Sequence, residues 1–140
     1  MLRWRQIENT WCLWPPRPKG IIEAIGGSYF SATPQISYNK LLGGLSAKNY
    51  AIHAWSYLPR LDHQSLANNA WKDFRYTRQI LRERLQSDLA VTRLGHSLGC
   101  KLQLLAPDGG RSCNGIISIS FNNFAAAQSI PLISEITPKF

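Results

Sequence analysis

The residues best able to do chemistry stand together as Gly95-His96-Ser97-Leu98-Gly99, a G-x-S-x-G pattern. A serine hydroxyl becomes a useful nucleophile when it is lifted clear of its neighbours, relieved of its proton by a base and faced by donors that stabilise an oxyanion. A tight strand-to-helix turn does the lifting. Glycines two positions either side are then needed, because a Cβ there would collide with the flanking strand and helix. At ordinary glycine and serine usage the pattern arises by chance about 5% of the time in such a chain, so its surroundings decide. Residues 89–94 read as a strand, and residues 100–106 as a short helix closed by Pro107-Asp108-Gly109-Gly110. That context suits acyl transfer, with Ser97 as nucleophile and the N–H of Leu98 as one oxyanion donor.

A second donor belongs on the loop after an earlier strand. The apolar run at residues 20–25 ends in Gly26-Gly27-Ser28-Tyr29, which puts the N–H of Ser28 or Tyr29 in that role and Gly27 in the pocket wall. His96, beside the serine, and His63, just beyond a strand's carboxyl end, are the other pocket candidates. Asp62 also suits a helix cap. A triad of this kind runs Ser, acid, His along the chain, yet His53, His63 and His96 all precede Ser97. His53 lies mid-strand and reads as a core residue; the acids after Ser97 are Asp108, in a turn, and Glu135. Without an imidazole the hydroxyl keeps its alcohol pKa. The pattern therefore supports serine-hydrolase ancestry, with an ester or other small acyl substrate, more strongly than activity. A non-catalytic module that binds a ligand or partner in the same pocket is the competing reading.

These residues need a scaffold, and the hydrophobic periodicity supplies one. Residues 4–14 read as a strand or hairpin stopped by Pro15-Pro16, and residues 20–25 as a strand buried on both faces. Thr33-Pro34 starts a helix whose stripe is Tyr38, Leu41, Leu42 and Leu45, weakened by Gly43-Gly44 and ended by a left-handed Asn49. Residues 50–57 form the next strand. Asp62 or Ser65 then caps a long helix with its apolar face on Leu66, Ala67, Ala70, Trp71, Phe74, Leu81 and Leu85. Residues 115–121 give a further strand, and residues 125–140 begin a helix or lid. Alternating strands and helices imply right-handed βαβ units and a mostly parallel sheet flanked by helices. The expectation is one domain over residues 1–140, a partial α/β-hydrolase fold without its C-terminal strands. The apolar strand at 115–121 would be an uncovered, aggregation-prone edge.

Composition narrows the partners. The 140 residues are 44% hydrophobic and 11% aromatic, enough for a core. With 16 Lys+Arg against 8 Asp+Glu the charge is +8, which invites a polyanion. Lys72, Arg75, Arg78, Arg82 and Arg84, however, recur mostly three or four apart, as a solvated outer helix face does, and no nucleic-acid motif accompanies them, so no nucleic-acid partner is expected. No apolar run approaches the ~18 residues of a membrane span. Polar residues follow the basic Met1-Leu2-Arg3-Trp4-Arg5 where a secretory signal would be apolar. Cys12, Cys100 and Cys113 lack metal-ligand spacing and suit reduced thiols inside a cell. No metal and no cofactor are expected, and the oligomeric state is left open.

Several segments together resemble a known family: Gly26-Gly27-Ser28-Tyr29-Phe30, Pro34-Gln35-Ile36-Ser37-Tyr38, Asp62-His63, the pattern around Ser97, Ile119-Ser120-Phe121-Asn122-Asn123 and Ile130-Pro131-Leu132. They are similar to the domain of unknown function thirteen-fifty, found in cyanobacteria and plants and related to α/β-hydrolases. The resemblance runs from about Trp4 to Pro138. It implies a cyanobacterial-cytosol or plastid-stroma setting and a C-terminal continuation that carries the acid and histidine loops.

Overall fold

A computed structural model describes residues 2–120; Phe121, Asn122-Asn123, the segment 125–140 and Glu135 lie outside the described residues. The chain opens with a hairpin, β1 (Arg5–Ile7) and β2 (Thr10–Leu13), turned at Glu8 with φ 51°. Then come β3 (Gly20–Ile25), α1 (Pro34–Ser37), α2 (Asn39–Ala47), β4 (Tyr50–Trp55), α3 (His63–Leu85), β5 (Val91–His96), α4 (Leu98–Leu104) and β6 (Gly115–Ile119). The sheet order is β1-β2-β4-β3-β5-β6, antiparallel across β1, β2 and β4 and parallel from β4 to β6. The parallel strands place their carboxyl ends, and so the loops after β3, β4 and β5, along one edge. That edge is where a site on such a sheet is built.

Apolar faces fix the layers. Ile22, Ala24, Ile52, Ala54 and Leu94 pack under Leu42 of α2. On the opposite face Ile25, Trp55 and Tyr57 pack with Leu66, Ala70 and Phe74 of α3 and with Leu98 and Leu102 of α4. A smaller cluster of Ile21, Ala51, Val91 and Leu81 closes the other end of that face. Between these two clusters runs a polar row, His53, Glu23 and Arg93, in register across β4, β3 and β5 and fully buried.

That row explains a departure from the helical-face expectation. Arg78 was expected on the solvated side of the long helix but turns inward: it lies four residues after Phe74 and three before Leu81, both buried. Its guanidinium grips the Glu23 carboxylate through Nε at 2.5 Å and Nη2 at 2.7 Å. Arg93 then donates to Asp108 at 2.7 Å, so Asp108 is committed to holding the loop after α4. Burial acts to raise the Asp108 carboxyl, but hydrogen bonds from Arg93, Ser112 and the Gly110 and Ser112 amides outweigh it and hold it well below the usual range. Other basic side chains are also engaged. Arg75 lies over the Trp71 ring at 4.6 Å, and Arg84 over Trp14 at 5.6 Å.

Element ends follow local chemistry. Asp62 caps α3, its Oδ1 accepting the Ser65 N–H at 3.0 Å, and Gln86 ends it in the left-handed region. Asn49, with φ 76°, ends the turn after α2 and donates through its side chain to the Arg17 carbonyl. The helix expected from Thr33 onward is two helices. It breaks at Tyr38, whose φ −110° and ψ 16° serve as the end of α1 and the start of α2, and Thr33 makes no side-chain cap. β6 forms the edge of the described sheet, with Ile117 52% exposed.

Candidate active site

Ser97 is the single residue between β5 and α4, and it holds φ 54° and ψ −119°. An L residue with positive φ carries strain of about 1–3 kcal/mol, so the surroundings must impose it. A Cβ on Gly99 would sit 1.9 Å from the Ile25 carbonyl oxygen, and one on Gly95 would sit 2.6 Å from the Cys100 backbone. The turn can close this tightly only with glycine at both places. The Ser97 N–H is held by the Ile119 carbonyl at 2.9 Å, and the Ser97 carbonyl accepts from Cys100 N–H at 3.0 Å. Backbone on both sides thus fixes the serine. Leu98 begins the first turn of α4, where N–H groups have no partner within the helix.

The loop after β3 closes over this turn. A Cβ on Gly27 would stand 3.2 Å from Ser97 Cβ and 3.4 Å from His96 Nδ1, so the loop backbone passes directly against the serine. The Phe30 N–H bonds the Gly27 carbonyl at 3.0 Å, which makes Ser28 and Tyr29 the tip of a turn. Tyr29 is 67% exposed. From the neighbouring loop, Tyr57 donates its hydroxyl to the Gly26 carbonyl at 2.6 Å and its N–H bonds the Ser31 carbonyl.

Tyr38 joins the two halves. Its hydroxyl oxygen accepts the Gly27 N–H at 2.9 Å and lies 2.7 Å from His96 Nδ1. Phe30 stacks on His96 at 6.5 Å and meets Tyr38 edge-on at 5.8 Å. The sequence pattern placed Tyr38 on the helical stripe. Its role comes from the helix break at its own position, which no periodicity marks. Beside this cluster, Pro34, Tyr38, Leu41, Leu42, Leu94 and His96 help line an apolar cavity of about 110 Å³.

The structure therefore brings Ser97, Leu98, Gly27 and His96 together, with the Ser28–Tyr29 turn following directly on Gly27, while His63 lies on α3. His63 is buried at the start of α3, and neither ring nitrogen has a hydrogen-bond partner among the described residues. Burial lowers its pKa, Lys101 lowers it further, and Asp62 opposes them. His53 is sealed in the polar row, where Nε2 accepts the Trp14 indole N–H at 2.9 Å; burial, aided by Arg78, lowers its pKa to about 3. None of the described hydrogen bonds joins the Ser97 hydroxyl to a histidine. No cluster of three or more His, Cys, Asp or Glu able to hold a metal occurs among the described residues, and none of their helices is long and apolar enough to cross a membrane.

Comparison with known proteins identifies the architecture. A model of the family described as "Protein of unknown function (DUF1350)" matches residues 3–140. No curated protein matches the sequence significantly. Among solved structures, TT1662 from Thermus thermophilus aligns with a TM-score of 0.64 at 17% identity, covering 89% of this chain and 58% of its own. A dienelactone hydrolase from Anabaena variabilis aligns with a TM-score of 0.67 at 15% identity, over 94% of this chain and 69% of its own. A thermostable carboxyl esterase from Bacillus coagulans aligns with a TM-score of 0.53 at 18% identity, over 84% of this chain and 43% of its own. The fold is of the α/β-hydrolase type, and the chain spans 58% of the length of TT1662.

Proposed function

The chain belongs to the DUF1350 family, and from that premise and the geometry around Ser97 we propose that it carries the nucleophile half of a serine acyl-hydrolase site. The observation that carries this reading is Ser97 itself: a strained serine between a central strand and a helix, fixed by two glycines that admit no Cβ. In this reading the turn is a nucleophile elbow. The Ser97 oxygen attacks an acyl carbonyl, the carbonyl electrons move onto oxygen, and the N–H groups of Leu98 and of Ser28 or Tyr29 hold the resulting oxyanion. The tetrahedral species collapses with loss of the alcohol, and water then releases the acid from the serine. The hydroxyl proton needs a base. The described residues do not place an imidazole on Ser97, because His96 is tied to Tyr38 and His53 is sealed away.

The substrate class we assign is a small ester or related acyl compound; esterase and dienelactone hydrolase are among the similarly folded proteins. Three free cysteines fit a reducing compartment such as the cytosol or plastid stroma. None of the hydrogen bonds among the described residues joins the Ser97 hydroxyl to a histidine, and this favours one alternative, a module that binds an acyl ligand without cleaving it. Hydrolysis of p-nitrophenyl acetate and butyrate by the wild type and by Ser97→Ala decides between them. Turnover lost in the variant supports the hydrolase; equal rates in the two remove it. Equal rates with saturable binding of the ester leave the binding module.

A further inference from the structure

We propose that Tyr38 is the positioning residue of this site: its hydroxyl locks the loop after β3 against the Ser97 turn and holds His96 as a neutral ring with its proton on Nε2. The catalytic part of this proposal rests on the Ser97 reading above; the proton assignment does not.

The argument is a count of donors. The Gly27 N–H can only donate, so Tyr38 Oη accepts it at 2.9 Å. A phenol has one proton of its own, and His96 Nδ1 lies 2.7 Å away. If Nδ1 carried a proton, Oη would accept twice and the phenol proton would need a third partner, which none of the hydrogen bonds described for Tyr38 provides. The arrangement that satisfies every group has Tyr38 donating to Nδ1, which leaves the imidazole proton on Nε2. Nδ1 is then unavailable to Ser97 as a base.

The same hydroxyl withdraws the Gly27 amide from the site, so an oxyanion donor on this loop must come from the tip beyond it. The fit is built rather than incidental. The chain interrupts a helix at Tyr38, and a Cβ on Gly26 would stand 2.4 Å from the Tyr38 ring. Phe30 packs on both rings of the pair. Three segments, from the β3 loop, the α1–α2 break and the end of β5, meet at one oxygen.

Tyr38→Phe keeps the ring and deletes the oxygen. In the ¹⁵N-labelled full chain, long-range proton–nitrogen spectra should show wild-type His96 bare at Nδ1 and protonated at Nε2, and a mixture of tautomers in Tyr38→Phe. The Gly27 amide should exchange with solvent about tenfold faster in the variant, the equivalent of one hydrogen bond. In His96→Phe, which keeps the Gly27–Tyr38 bond, that amide should exchange as in the wild type. For p-nitrophenyl butyrate, Tyr38→Phe should lower kcat about tenfold with KM within about twofold, because a misplaced donor acts on the transition state. A proton on Nδ1 in the wild type, or an unchanged Gly27 exchange in Tyr38→Phe, overturns the proposal. Absence of any Ser97-dependent turnover removes the hydrolase reading alone, since the two spectroscopic measurements still decide the role of Tyr38.

Discussion

Replacing Ser97 by glycine should leave the chain more stable than replacing it by alanine, the reverse of the usual order. At an ordinary position glycine costs roughly 0.5–1 kcal/mol relative to alanine, through the entropy of the unfolded chain. Ser97 sits at φ 54° and ψ −119°, where a residue with a Cβ carries about 1–3 kcal/mol of strain. Alanine keeps that strain and glycine releases it. Both variants lack the hydroxyl, so its contacts cancel in the comparison. The difference leaves glycine ahead by about 1 kcal/mol. With a urea m-value of about 1–3 kcal/mol per molar for a small protein, Ser97→Gly should unfold at a midpoint roughly 0.3–1 M higher than Ser97→Ala. Equilibrium urea unfolding, followed by tryptophan fluorescence and by circular dichroism, measures it. Equal midpoints, or alanine ahead, would show that the turn is relaxed and that its geometry is not imposed by its neighbours.

Other substitutions test the frame around that turn. Gly99→Ala puts a methyl 1.9 Å from the Ile25 carbonyl oxygen, where only backbone movement can make room, and should cost about 3 kcal/mol or more; a thermal unfolding midpoint near that of the wild type would contradict it. Glu23→Gln removes the carboxylate from the buried guanidinium of Arg93 and the largely buried one of Arg78 and should cost about 3–5 kcal/mol, read from the urea midpoint; a loss below about 1 kcal/mol would show the network to be dispensable. His53, with its pKa lowered to about 3 by burial, resists protonation in the folded chain more than in the unfolded one. Stability should therefore fall as pH drops from about 6.5 toward 3, by up to about 1.4 kcal/mol per pH unit from this group. His53→Gln should flatten that part of the profile, and identical profiles would sink the assignment.

Much of this arrangement was legible in the residues. The glycines at 95 and 99, the strand before them and the helix after them follow from local sterics, and the runs at β3, β4 and β6 are short and mostly apolar, as parallel strands are. Asp62 capped its helix as its type and place implied. What the pattern misjudged depended on partners distant in sequence. Arg78 matched the basic spacing of its helix, yet Glu23, 55 residues earlier, draws it inward. Tyr38 fitted an apolar stripe, yet its hydroxyl answers Gly27 and His96. Periodicity reports which face a side chain occupies, not which polar atom waits there.

The central claim, that Ser97 is the nucleophile of an acyl-transfer site, is tested most directly by treating the purified chain with a fluorophosphonate probe and mapping the adduct by peptide mass spectrometry. The account predicts one phosphonyl group, on the peptide carrying Ser97, and none in Ser97→Ala. No adduct, or one that persists in Ser97→Ala, would contradict it.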